Sequence, residues 1–146
     1  MTTTDHRREK RIAVVLAGHS GDVPMARGGL TDPDPEVRAA AIGALERLGR
    51  LDRADLEAHL RPVDEPSVIV RRRAVEAAAR FLDIGLLEVF DDPDWSVIEM
   101  ACWSVGEHET ADDATLDRLI AVATGHDESL VREAAVAALG AIGDRK

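Results

Sequence analysis

The stretch ESLVREAAVAALGAIGD, Glu128 to Asp144, places apolar residues at the spacing of an amphipathic helix, fills the rest with Ala, and closes on a Gly. With Val131 set as position zero, the same pattern returns upstream from Val37, Val70 and Val97. The starts lie 33, 27 and 34 residues apart (37 to 70, 70 to 97, 97 to 131), room in each case for two helices and two tight connections. One helix that recurs at such spacing is a unit that buries its apolar side against copies of itself, so a binding surface is sought before an active site.

Working outward, positions 0, 4, 7, 8 and 11 share one side of the helix at 100° per residue. They carry Val37, Ala41, Ala44, Leu45 and Leu48 in the first copy, and Val70, Ala74, Ala77, Ala78 and Phe81 in the second. The third has Val97, Ala101, Ser104, Val105 and His108, and the fourth Val131, Ala135, Ala138, Leu139 and Ile142. This is the expected buried seam, and position 5 (Ile42, Val75, Cys102, Val136) widens it toward the next unit. Before the seam, Asp32 or Asp34 can cap the first copy's helix with the following Pro in its first turn, and Asp92 with Pro93 is read the same way in the third.

Between the copies lie shorter candidates for pairing helices: DVPMARGGL, LDRADLEAHL, IGLLEVF and DATLDRLIAVATG. Residues 1–5 are polar and expected to fray, leaving 6–146 as a single domain. The segment HRREKRIAVVLAG matches only the second half of the unit, with GHSGD standing where AIGD stands in the last copy. A half unit is expected to cap the stack and turn its charged side outward. The fold expected is therefore all-α: an α-α superhelix, or α-solenoid, of about four helix pairs with an N-terminal half repeat.

The DPDPEVRAAAIGALERLG and VREAAVAALGAIGD segments resemble HEAT repeats, in particular the short bacterial HEAT-like repeats of the phycobilisome lyase type, over roughly residues 7 to 144. The resemblance implies an interaction scaffold more often than an enzyme, with the second helix of each pair lining the concave face. Its enzyme alternatives are a metal-dependent oxygenase resembling deoxyhypusine hydroxylase and a phycobilin lyase-like component.

Positions 2, 6 and 9 point away from the seam. In the third copy they are Glu99, Trp103 and Gly106, where the other copies hold small or charged residues. Both tryptophans of the chain, Trp95 and Trp103, fall in this unit, and Met100 neighbours Trp103 on the helix. A large rigid indole among small side chains is what an interface anchor requires. The candidate site is a groove on Trp103 and Met100, with Arg72, Arg73, Glu76 and Arg80 on one side, Glu99, Glu107 and Glu133 on the other, and Trp95 nearby. The competing reading has Trp103 fill a gap where the stack bends at the 27-residue interval.

Other constellations carry less. GHSGD imitates a nucleophile elbow at Ser20, but Asp22 stands where the second Gly belongs, and a helix C-cap explains Gly21. Deoxyhypusine hydroxylase needs several His-Glu pairs, and His108-Glu109 is one; Cys102 and His126 offer further ligand types without a metal-selecting spacing. Arg71, Arg72 and Arg73 form the only basic run within the repeats of a chain of net charge −10, which argues against nucleic acid. Arg71 also shares position 1 with Arg38 and Arg132, which points to a structural ladder onto the loop acids of the next unit, broken by Ile98. The lone Cys102 and the short apolar run IAVVLA favour a cytoplasmic protein with no membrane partner.

The expectation is thus a protein-protein interaction module or adaptor that binds a partner's helix or extended segment on its concave face. It needs no catalytic residues, metal or cofactor, and is a monomer or weak homodimer.

Overall fold

A computed structural model describes residues 2–143. Among them every regular element is helical: α1 (Thr3–Ser20), α2 (Val23–Gly29), α3 (Pro35–Arg47), α4 (Arg53–Glu57), α5 (Val68–Ala77), α6 (Trp95–His108), α7 (Asp113–Gly125) and α8 (Ser129–Gly143), with 3-10 turns at Ala78–Arg80 and Leu87–Asp91. The ends of the sequence reading, Met1 and Asp144 onward, lie outside the described residues. Helices α1, α3, α5, α6 and α8 pack in succession as one row. On the other side α2, α4, the Leu87–Asp91 turn and α7 each pair with the row helix that follows. This is an α-solenoid of four pairs with α1 as a half unit.

The seam is where the periodicity puts it. Val37, Ala41, Ala44 and Leu45, and their counterparts from Val70, Val97 and Val131 onward, are buried, apart from partly covered residues at the helix ends such as Phe81, His108 and Leu139. Small side chains let the row close up: a Cβ on Gly106 would sit 3.2 Å from the Cα of Ala138, and one on Gly18 would sit 3.0 Å from the Cα of Ala44. Both Ala residues occupy position 7 of their helices, so Gly18 and Gly106 share position 9, which sets Glu9 as position zero of α1. Ile42, Val75 and Cys102 at position 5 are buried as expected, but Val136 is 59% exposed because no described residue stacks on α8.

One hydrogen-bonded device repeats at every junction. Five residues before each zero position, a side-chain acceptor takes the backbone N–H two residues on: Asp32 from Asp34 (2.9 Å), Glu65 from Ser67 (3.1 Å), Asp92 from Asp94 (2.9 Å), and His126 Nδ1 from Glu128 (3.0 Å). The same acids meet the position-1 cation of the preceding row helix. Lys10 reaches Asp32 at 3.3 Å, Arg38 grips Glu65 with Nε and Nη2 at 2.8 and 2.7 Å, and Arg71 grips Asp92 at 2.8 and 3.1 Å. The arginines spend Nη1 on carbonyls of their own loops, Asp32 and Pro33 for Arg38, Glu65 for Arg71. Bidentate arginine compensates a buried carboxylate as a flexible ammonium does not. Glu65 also meets His59 Nδ1 at 2.9 Å. Burial pushes its carboxyl up, but Arg38, the Ser67 N–H and His59 together hold it below the usual range.

Several local expectations are corrected. Asp92 does not cap α6; Arg71 and the Asp94 N–H occupy it, and Asp94 is the cap, accepting from Ser96 N at 2.8 Å. The IGLLEVF segment, expected as a pairing helix, closes as a 3-10 turn at Leu87–Asp91, yet Ile84, Leu86, Val89 and Phe90 still plug the core there. Helix α5 tightens after Ala77, and α6 covers carbonyls near its end: Ser104 Oγ donates to Val75 O at 2.6 Å and His108 Nε2–H to Ala78 O at 2.8 Å. Helix α1 begins at Thr3 instead of fraying through Asp5, because Thr2 and Asp5 form a capping box. Nor is it a fully charged cap, for Ile12, Val15 and Leu16 face solvent.

Candidate functional site

Position 6 of the row helices holds Val15, Gly43, Glu76, Trp103 and Ala137, so unit three alone raises an aromatic side chain there. Helix α6 carries Trp103 two turns after its Asp94 cap, with Val97, Ala101 and Val105 anchoring the opposite side in the core. Its indole is 47% exposed. The small residues of α8 leave space beside it, a cleft of about 370 Å³ lined by Arg72, Glu76, Glu99, Met100, Trp103 and Ala134. Met100 packs partly against the core and forms part of the lining.

The charges divide. Arg72 leans toward Glu99 at 3.5 Å, at the limit of a hydrogen bond, and its Nε is buried without a partner. An unspent buried donor beside an apolar cleft favours an incoming acceptor. Arg73 does not line the cleft: it crosses to Glu46 at 2.8 Å, where Gly43 leaves room for its guanidinium. Arg80 is exposed beyond the end of α5, and Trp95, 42% exposed in the first turn of α6, also stands off the cleft. Glu107 and Glu133 are exposed on their helices and are likewise not part of the lining. The structure thus gathers Trp103, Met100, Glu99, Arg72 and Glu76, adds Ala134, and disperses the rest.

A second, larger cleft of about 780 Å³ lies between α1, α2 and the start of α3, with Glu9, Ala13, Met25, Gly28 and Asp32 in its wall. The sequence reading missed it. Its signal is the half unit itself: among the described residues no helix packs before α1, and positions 0 and 4 (Glu9, Ala13) line the cleft.

The alternative constellations are engaged elsewhere. Ser20 ends α1, and Gly21 adopts the left-handed backbone (φ 87°) of a C-cap. Asp22 caps α2 by accepting from Met25 N at 3.2 Å. Cys102 is buried, and burial, reinforced by the Glu99 charge, pushes its thiol up to about 12. Among the described residues no three His, Cys, Asp or Glu side chains come together as metal ligands. The basic run points three ways, Arg71 to Asp92, Arg72 to Glu99 and Arg73 to Glu46. No described helix is long and apolar enough to cross a membrane.

Two comparisons bear on this geometry. Residues 84–146 match the family model described as HEAT repeats, and residues 23–51 match the one described as HEAT repeat. Neither singles out the phycobilisome lyase type. Residues 52–83 between the matches hold the five-residue α4 and the shortened α5. No curated protein matches the chain.

Proposed function

Since this chain belongs to the HEAT repeat proteins, whose repeats are commonly protein-interaction modules, we propose that it is an adaptor whose recognition surface is the Trp103 cleft. The observation that carries the proposal is the half-exposed indole of Trp103, the one aromatic side chain at position 6 of a row helix, beside the small Ala134 of α8. The occupant is a helix or extended segment of another protein. One apolar side chain of that segment rests on Trp103 and Met100, and polar groups of both signs answer Arg72, Glu76 and Glu99. Apolar anchor and mixed rim divide the work, the first supplying affinity and the second orientation.

The test places a photo-crosslinking amino acid at Ala134 and irradiates cells that express the chain. A discrete adduct that disappears when Trp103→Ala is added, and that is absent with the crosslinker at exposed Leu82, supports the cleft. The same adduct with and without Trp103 contradicts it.

A further inference from the structure

The two ends of the row are complementary. On α8, position 1 is Arg132, position 5 is Val136 and position 9 is Gly140, the three positions that at inner junctions receive the next helix. Arg132 already spends Nη1 on its own loop carbonyls, His126 O at 2.6 Å and Asp127 O at 2.9 Å, as Arg38 and Arg71 spend theirs. Among the described residues no carboxylate fills the remaining fork. Val136 is 59% exposed where Ile42, Val75 and Cys102 are buried, and a Cβ on Gly140 would meet nothing within 4 Å. A glycine inside a helix costs about 1 kcal/mol relative to Ala, and less in a last turn such as that of Gly140. At Gly18 and Gly106, in the same register, that cost accompanies close helix approach.

At the other end α1 turns outward the positions that elsewhere pack on the preceding helix. Ile12 and Leu16 stand at positions 3 and 7, with Val15 beside them, and Leu16 is 58% exposed where its counterparts Ala44, Ala77 and Ala138 are buried. Helix α1 carries four basic side chains against two acidic, while residues 113–146 carry six acidic against four basic. Bulky apolar residues on a basic helix thus face the notched, acidic end of the stack.

We propose that a second copy of this chain docks head to tail, its α1 on α8, so that Leu16 enters the space over Gly140, Ile12 and Val15 cover Val136, and Asp5, one residue from the ladder register, is offered to Arg132. The contact is heterologous: each copy keeps one free face of each kind, so association continues past the dimer rather than closing at two. It does not depend on the Trp103 cleft, which lies on another side of α6 and α8.

Sedimentation velocity on the 146-residue chain up to about 1 mM, the weak end of specific association, tests this. The wild type is expected to grow beyond dimer with concentration. Gly140→Arg blocks the α8 face, and Leu16→Glu blocks the α1 face; both residues are exposed, so circular dichroism should show the fold kept. Each variant alone stays monomeric, and an equimolar mixture yields a one-to-one heterodimer and nothing larger, because each retains the face the other lacks. Trp103→Ala associates like the wild type. A wild type that remains monomeric, or variants that fail to pair on mixing, overturns the proposal.

Discussion

Two junctions of the stack solve one problem with different chemistry. Between α5 and α6 the position-1 residue is Arg71, fully buried against Asp92, and the acid also takes the Asp94 N–H. Between α6 and α8 the position-1 residue is Ile98, and the loop acceptor is His126, which takes the Glu128 N–H alone. Once the cation is lost, an acid opposite Ile98 would be a half-buried charge with no fork to answer it, whereas an imidazole nitrogen serves the backbone without carrying one. The ladder is therefore two interactions on one residue, a backbone turn that every unit keeps and an ion pair that one unit has dropped.

The comparison is broken most severely by Arg71→Ala. Asp92 would be left buried without its partner, and urea unfolding should show a loss of about 3–5 kcal/mol; a loss below about 1 kcal/mol would mean that the pair behaves as a surface bridge. Next in size is an exchange of the two chemistries. His126→Asp alone should destabilise, and adding Ile98→Arg should recover part of the loss, with a coupling of about 0.5–3 kcal/mol in the double-mutant cycle. Strict additivity of the two changes would sink the idea that Ile98 and His126 are matched.

A smaller difference is expected from acid. Because the carboxyl of Glu65 lies below its unfolded value, its contribution is fully present above about pH 4.3 and is lost as pH falls through the lower folded value. Wild type and Glu65→Gln should therefore differ in stability at neutral pH and converge in that acid window. Curves that run parallel down to the acid limb count against a charged Glu65. Trp103→Ala should move stability least, within about 0.5 kcal/mol, since the indole is half exposed and no position-6 counterpart enters the core; a larger drop in the urea midpoint would make it a packing residue.

The seam was readable in advance because Val37, Val70, Val97 and Val131 begin runs with helical period, and such runs bury the side they define. In the outer row the sequence places α2, α4 and α7, but not the extent of α4 or the 3-10 form of the third member. Five residues of α4 and the turn at Leu87–Asp91 are too short to show a period, and their apolar residues are placed by the neighbouring helices. Asp92 was misread because an Asp before Pro looks like a cap, while its second client, Arg71, lies 21 residues away in sequence. Trp103 was left between two readings, since a wheel says which way a side chain leaves its helix and not whether a neighbour covers it. The sizes of Glu76 and Ala134 decide that, and Gly43 likewise decides where Arg73 goes. The exposed Ile12, Val15 and Leu16 were hidden by the charges that precede them.

Acrylamide quenching of Trp95→Phe, which leaves Trp103 as the sole emitter, tests the account most directly. A red-shifted, readily quenched emission in the free chain is predicted, as for an indole standing in an open cleft. A blue-shifted emission that acrylamide does not reach would place Trp103 inside the stack and remove the recognition surface.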